Sequence, residues 1–145
     1  MRVGGDEIEF EVTDDDGAGG LVAARVTMAA GGGPPALHRH AASELYRVED
    51  GELCFYVEDA SGVVRRRIAR AGETVAIPGW REHTIRNESE AEASAFVVYS
   101  PGQRMEAFAR AASRLAEGAE PTMERVLELA GQHGIEITRP LEGVA

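Results

Sequence analysis

Short runs of alternating apolar and polar residues fill the first 100 positions of the chain. β-branched and aromatic residues are frequent in these runs, and Gly, Pro and Asp separate them, which is typical of strands joined by tight turns. The pattern predicts eight strands, at 8–12, 21–29, 44–49, 52–58, 63–68, 74–77, 83–87 and 93–100. It also predicts a turn at 14–20 and a stiff loop at 31–35, which has the sequence GGGPP. Many short strands at close spacing favour a sandwich or a barrel.

The pattern changes to a helical period after residue 100. Ser100, Pro101 and Gln103 predict the start of a first helix, with Ser100 at the cap and Pro101 in the first turn. Its apolar face comprises Met105, Phe108, Ala109, Ala112, Leu115 and Ala116. Gly118 predicts its end, and Pro121 the start of a second helix that stops at Gly131 or Gly134. The apolar stripe of that second helix comprises Met123, Val126, Leu127 and Ala130.

These patterns divide the chain into two parts. Residues 1–100 are expected to form a β-barrel domain, and residues 101–145 a helical extension that packs on the barrel or on a partner subunit.

Charge limits the partners that the protein is able to bind. The formal net charge is −10, whereas nucleic acids and anionic membrane surfaces attract clustered positive charge. All 15 basic residues are arginine, so a lysine Schiff base is excluded. We therefore expect a small-molecule substrate, with no nucleic-acid and no membrane partner.

Cysteine usage and the N-terminal sequence predict the compartment. Cys54 is the only cysteine, so no internal disulfide forms. The N-terminal sequence MRVGGDEIEF lacks an apolar segment of signal-peptide length, and no later segment approaches a membrane span. A cytoplasmic location is the expectation.

Three of the four histidines lie in one pattern together with a glutamate. The pattern is G-x5-H-x-H-x3-E-x6-G, and its fixed positions are Gly32, His38, His40, Glu44 and Gly51. A second pattern follows, in which five residues separate Gly72 from Pro78, four separate Pro78 from His83, and three separate His83 from Asn87.

Strand alternation gives this spacing a chemical meaning. Side chains two positions apart in a strand share a face, so His38 and His40 point together and Arg39 points away. If Glu44 and His83 face the interior, their charged neighbours face outwards. Three imidazoles and one carboxylate are then able to converge on one divalent transition-metal ion inside a barrel. Imidazole suits Fe, Ni, Cu and Zn, and a carboxylate adds Mn.

The two motifs resemble the paired motifs of the cupin superfamily, in particular small single-domain, quercetin-dioxygenase-like members. Both spacings match, and the resemblance covers residues 20–100. It implies an all-β, double-stranded β-helix (jelly-roll) barrel with a short C-terminal helical extension. It also implies metal binding by His38, His40, Glu44 and His83, with Glu44 either a ligand or a catalytic base.

One position departs from the family pattern. The second motif usually has Gly two residues after its Pro, and here that position is Trp80, with Gly79 beside it to supply the turn. Trp80 is therefore a candidate to narrow the barrel mouth or to touch substrate.

Large apolar side chains on the predicted strands or at the mouth are the candidates for a substrate pocket. Each one alone is better explained as core packing than as a substrate contact, but together they imply an apolar pocket around the metal, suited to an aromatic or hydrophobic small molecule. The candidates are Met28, Tyr46, Phe55, Trp80, Ile85 and Phe96.

Other chemically capable residues have structural explanations. Asn87 is expected to be a buried structural amide, Cys54 an inert packed thiol, and His133 a surface residue near a helix end. The run 65–67, three arginines, is expected to protect a solvated strand edge, and the alternative is that one of them binds a substrate carboxylate.

The leading functional prediction is a metal-dependent dioxygenase that acts on an aromatic or enolic substrate, with Glu44 accepting a substrate proton. Two alternatives remain: a non-redox cyclase, isomerase or lyase that uses the metal as a Lewis acid, and a non-catalytic metal- or ligand-binding barrel. We expect a homodimer, because a lone jelly roll leaves sheet edges and one sheet face to cover and similar cupins pair through a strand such as 21–29.

Overall fold

Two antiparallel sheets make up most of the computed structural model, which describes residues 1–16 and 20–141. In spatial order, the first sheet comprises β1 (Arg2–Val3), β2 (Asp6–Val12), β3 (Val22–Met28), β10 (Ala93–Ser100), β5 (Ser43–Asp50) and β8 (Thr74–Ile77). The second comprises β11 (Glu136–Pro140), β4 (Ala36–Arg39), β9 (His83–Arg86), β6 (Glu52–Glu58) and β7 (Val64–Arg70). This is the predicted all-β jelly roll, although the two sheets do not close into one continuous barrel.

The hydrophobic core lies between the two sheets. Alternation along β10 buries Ala95, Val97 and Tyr99, whereas Phe96 and Val98 between them face outwards and stay partly exposed. From the second sheet, Leu53 and Phe55 of β6 join the same cluster. Burial of such apolar side chains contributes about 25 cal/mol per Å² and fixes the register of each strand.

All eight predicted strands are present. Three of them have the predicted bounds, and the other five differ by one or two residues at one or both ends. The sequence pattern missed β1, β4 and β11, which are short and contain few apolar residues. Of the predicted turn at 14–20, residues Asp14–Asp16 form a 3-10 turn and residues 17–19 lie outside the described residues.

Strand β11 lies in the part of the chain that was predicted to be helical. It pairs with β4, and ion pairs hold it there: Arg39 binds Glu136 at 2.9 Å and Arg139 binds Glu82 at 2.9 Å. The C-terminal extension therefore adds a strand to the sheet that carries two of the candidate metal ligands.

The two predicted helices are α1 (Gln103–Leu115) and α2 (Met123–Gln132). The predicted cap at Ser100 is wrong: Ser100 is the last residue of β10, paired with Ser43, so Gly102 is the N-cap and no side chain caps α1. Thr122 caps α2 by accepting a hydrogen bond from the Arg125 N–H at 3.2 Å.

Both helices pack on the jelly roll, α2 through contacts with β11. Met105 of α1 contacts the core cluster, and the Arg110 guanidinium lies 5.1 Å from the centre of the Phe10 ring. In the described part of the chain, neither helix is long and apolar enough to cross a membrane.

The edges of the first sheet are β1 and β8. Strand β3 is hydrogen-bonded on both sides, to β2 and β10, so its edge is not free to pair with a partner subunit. Strand β7, which carries the three consecutive arginines, is an edge of the second sheet as predicted.

Candidate metal centre

Two strand pairs bring the candidate ligands together at one end of the jelly roll. His38 lies on β4 directly opposite His83, the first residue of β9. His40 follows the end of β4, and Glu44 is the second residue of β5. The predicted alternation holds on β5, where Glu44, Tyr46 and Val48 are buried and the residues between them are exposed.

Each of the three histidines is oriented by a backbone carbonyl. The Nδ1 atoms of His38, His40 and His83 lie 3.2, 3.0 and 2.8 Å from the carbonyl oxygens of Ala36, Ala42 and Arg81. A carbonyl only accepts hydrogen bonds, so Nδ1 of each neutral ring carries the proton and Nε2 presents a lone pair. In proteins this arrangement is typical of histidines that bind metal through Nε2.

The free nitrogen atoms converge. One ligand atom from each of the three histidines lies within 4.8 Å of the other two. Glu44 adds a carboxylate oxygen, Oε2, 2.7 Å from His83 Nε2 and 3.1 Å from His40 Nε2. His40, Glu44 and His83 are each at most 5% exposed, whereas His38 is partly exposed.

These atoms have no hydrogen-bond partner despite their burial. His40 Nε2, His83 Nε2 and Glu44 Oε2 are all unsatisfied, because each presents a lone pair to the others. Unpaired buried acceptors are costly, and a shared cation satisfies them together. The three imidazoles are thus placed to hold a metal ion, and the donor set of nitrogen and carboxylate oxygen fits a first-row transition metal.

Electrostatics at the site favours one positive charge among the ligands. Burial would raise the pKa of Glu44, but the adjacent His40 and His83 hold it well below its usual range. Burial would lower the pKa of His83, but the Glu44 carboxylate raises it above its usual value. Burial, together with the charge of His83, lowers the pKa of His38 to about 4. Metal ligation requires a neutral imidazole, so a metal ion competes with a proton for the His83 nitrogen.

A tyrosine holds the second oxygen of the Glu44 carboxylate. The Tyr46 hydroxyl donates to Glu44 Oε1 at 2.7 Å, so Oε2 alone faces the histidines. Tyr99, opposite Glu44 on β10, lies beside Tyr46, and burial together with the Glu44 charge raises the pKa of both phenols. Sequence analysis did not single out Tyr99, although its place in the alternation of β10 is an available signal.

Residues 78–82 form a loop that we call the Trp80 loop, and it contacts both ligand-bearing segments. The Trp80 N–H donates to the His40 carbonyl at 2.7 Å, and the Arg81 carbonyl accepts from His83 Nδ1. The Arg81 and Ala42 carbonyls are functional backbone groups that side-chain motifs do not reveal.

The six candidate pocket residues occupy three environments. Met28, Tyr46, Phe55 and Ile85 are at most 5% exposed and pack in the central core cluster, with the Tyr46 and Phe55 rings 5.3 Å apart. Phe96 lies on the outer face of β10, away from the core. Trp80 is 59% exposed on its loop.

The residues predicted to be structural have local partners. The Asn87 amide donates to the carbonyls of Met28 and Ala91. Cys54 is buried, and burial together with Glu88 raises the pKa of its thiol to about 11. His133, at the end of α2, binds the Leu129 carbonyl through Nδ1 and lies away from the other histidines.

Solved structures with the same fold include enzymes of several kinds. An oxalate oxidase aligns with a TM-score of 0.57 at 24% identity, over 89% of this chain and 69% of its own. The polyketide cyclase RemF from Streptomyces resistomycificus aligns at 0.55 and 20% identity, over 67% and 66%. A sugar phosphate isomerase of the cupin superfamily from Silicibacter pomeroyi aligns at 0.53 and 21% identity, over 66% and 59%. At these identities the likeness establishes the fold alone.

Sequence comparison identifies the family. Curated protein sequences give no match. The family model described as the cupin domain matches residues 24–99, which include both histidine motifs and the strands that carry them. The chain therefore belongs to the cupin family.

Proposed function

We propose that this cupin is a metal-dependent enzyme that acts on a small organic substrate, and that it is a dioxygenase of aromatic or enolic compounds. The observation that carries the proposal is the cluster of buried, unpartnered lone pairs on His40, His83 and Glu44, joined by His38. A cluster that only stabilised the fold would be expected to satisfy its own hydrogen bonds. Unsatisfied buried lone pairs lower the stability of the fold, which favours a ligand-binding role for this site.

The proposed metal ligands are His38, His40, His83 and Glu44. A bound iron, manganese, nickel or copper ion would supply redox chemistry with O₂, and zinc would supply Lewis-acid chemistry. The chain has no lysine, and its one cysteine is buried with a raised pKa, so neither offers a covalent alternative.

Glu44 is proposed as the fourth ligand and, once its carboxylate leaves the metal, as the catalytic base. Tyr46 holds Oε1, so Oε2 faces the centre, where a phenolic or enolic proton would be accepted. The neighbouring imidazoles lower the pKa of Glu44 and keep its carboxylate ionised, which suits a metal ligand; a role as base requires the carboxylate to move away from these imidazoles. We further propose that the protein acts in the cytoplasm, where a buried free thiol such as Cys54 persists reduced.

The test is an oxygen electrode with protein loaded separately with Fe(II), Mn(II), Ni(II) or Cu(II), run over a panel of catechols, enols and flavonols. We expect O₂ uptake with at least one combination of metal and substrate. In Glu44→Gln the three histidines still hold the metal, at lower affinity, and O₂ uptake is lost even when the protein is fully loaded with metal. Conversion of a substrate without O₂ uptake would replace the dioxygenase with a cyclase or isomerase. If no metal gave O₂ uptake or conversion of any substrate, a non-catalytic binding protein would be the remaining alternative.

A further inference from the structure

The Trp80 loop and the loop 40–42 lie at the same end of the jelly roll. Strand β8 pairs antiparallel with β5, so the end of β8 lies beside the start of β5. The same relation holds between β4 and β9 through His38 and His83. The hydrogen bond from the Trp80 N–H to the His40 carbonyl joins the two loops directly. Trp80 is therefore at the end of the fold where the candidate ligands lie.

The backbone of Trp80 is in a conformation that large residues avoid. Its φ is +65°, and among the described residues it is the single non-glycine with a positive φ. For a residue with a bulky side chain this region is strained, and Gly or Asn occupies it more readily. Packing does not offset that strain, because 59% of the side chain is exposed. Strain of this kind concentrates at functional positions.

Close contacts hold the loop in place. The Gly79 N–H donates to the Ser43 hydroxyl at 3.0 Å, and a Cβ at Gly79 would lie only 2.4 Å from the Ala41 carbonyl oxygen. The Arg81 guanidinium donates to the Glu58 carbonyl at 3.1 Å. The exposed indole is thus carried on a fixed backbone, which lowers the entropy lost when a ligand covers it.

The interior leaves a bulky substrate little room beside the ligands. Tyr46 and Ile85, which lie two residues from Glu44 and His83, are packed in the core, as is Phe55 against Tyr46. Of the three histidines, His38 alone is partly exposed. A substrate that reaches the centre therefore keeps most of its surface at this end of the fold, where the loop hydrogen-bonded to His40 carries the exposed indole of Trp80.

We propose that Trp80 is a specificity-determining residue that contacts substrate directly: its indole is an aromatic platform on which a planar, apolar ring lies while the polar end of the substrate reaches the histidine cluster. This rests on the proposed function, because it takes the histidine cluster to be the substrate-binding centre. The indole of Trp80 selects ring-bearing substrates over small dianions of the oxalate type, since a small dianion gains no binding energy from an indole surface.

The test uses zinc-loaded protein, which is redox-inert, with catechol as an aromatic chelating probe and oxalate as a matched chelator without a ring. Trp80 is the only tryptophan, so intrinsic tryptophan fluorescence reports on this residue alone. We expect catechol to quench the fluorescence, and its dissociation constant by calorimetry to rise about tenfold in Trp80→Gly and Trp80→Asn. Trp80→Phe should keep most of the affinity, and oxalate binding should change less than about twofold in all three variants.

Several results would overturn the proposal: catechol affinity unchanged in Trp80→Gly and Trp80→Asn, equal losses for catechol and oxalate, loss of zinc from the variants, or no catechol binding by the wild type. The outcome is separate from that of the oxygen-uptake experiment. A protein that binds catechol through Trp80 but consumes no O₂ would refute the dioxygenase and retain the role of Trp80.

Discussion

Removal of the Tyr46 hydroxyl tests whether the buried Glu44 carboxylate is held for metal binding. In Tyr46→Phe the ring stays and only the hydroxyl is lost, so no large cavity forms. Glu44 Oε1 then loses a donor at 2.7 Å in a site where both residues are 5% exposed. Leaving a buried charged acceptor without its hydrogen bond costs about 1.5–3 kcal/mol. For a chain of this size that lowers the melting temperature by roughly 5–10 °C.

The second consequence concerns the metal. With Oε1 free, the carboxylate is able to rotate, so Oε2 is no longer held toward His40 and His83. Loss of such a supporting hydrogen bond weakens metal affinity about 10- to 100-fold. The assay is zinc titration by calorimetry, with thermal unfolding of the metal-free and the zinc-loaded protein recorded alongside it.

Tyr56→Phe is the matched control. The Tyr56 hydroxyl also donates to a carboxylate, that of Glu88, but the pair lies outside the candidate centre. This variant is expected to lose stability and to keep its zinc affinity. If Tyr46→Phe kept both its melting temperature and its zinc affinity, or if the two variants lost zinc affinity equally, Tyr46 would not be a support of the centre.

Three further predictions follow from single features. His83→Ala should lose most bound metal and the melting-temperature increase that metal gives, whereas His133→Ala should keep both; full metal retention in His83→Ala would remove β9 from the site. Iodoacetamide should label Cys54 slowly in the folded protein at pH 8, because burial raises its thiol pKa to about 11, and rapidly after unfolding; equal rates would contradict this. Light scattering should give the mass of two chains, since Leu45 is exposed and Phe96 partly exposed on the outer face of the first sheet; a mass of 15.5 kDa would exclude the dimer.

His38 is expected to affect how the stability of the metal-free protein falls at acid pH. His38 has a folded pKa of about 4 against an ordinary value of 6.5, so the unfolded chain binds the extra proton between these pH values. The contribution of neutral His38 to the free energy of unfolding is complete above pH 6.5 and is lost as the pH falls to about 4. His38→Gln should therefore show a shallower loss of melting temperature over this window than the wild type. Parallel curves for the two proteins would contradict a buried neutral His38.

Much of the fold could be predicted because alternation and turn residues are local signals. The strands at 52–58, 74–77 and 93–100 have the predicted bounds, and Gly51 and Gly72 adopt the positive φ that their turns require. Strand β11 was not predicted because its partner, β4, is about 100 residues away in the sequence and its own alternation of apolar and polar residues is weak. Ser100 was mistaken for a helix cap because its pairing with Ser43 is a long-range contact that no local motif records.

In the candidate site, too, the residues marked by a local motif were predictable and the groups placed by long-range packing were not. Motif spacing and strand alternation predicted that His38, His40 and His83 share a face, and the structure brings all three together. The groups that orient them are backbone carbonyls, at Ala36, Ala42 and Arg81, which have no sequence signature. Phe55 and Ile85 fill the core, as each of them alone was expected to do. Whether apolar residues also leave a pocket depends on how the two sheets face each other, which strand alternation does not record.

Metal content is the most direct test of the central claim. Protein purified without added metal or an affinity tag, then analysed by inductively coupled plasma mass spectrometry, should contain about one equivalent of a transition metal per chain. The His40→Ala variant, prepared in parallel, should contain little. Redox-active iron, manganese, nickel or copper would support the dioxygenase, and zinc alone would favour Lewis-acid chemistry. Wild-type protein that contains no metal and takes up none of these ions on titration would contradict the account.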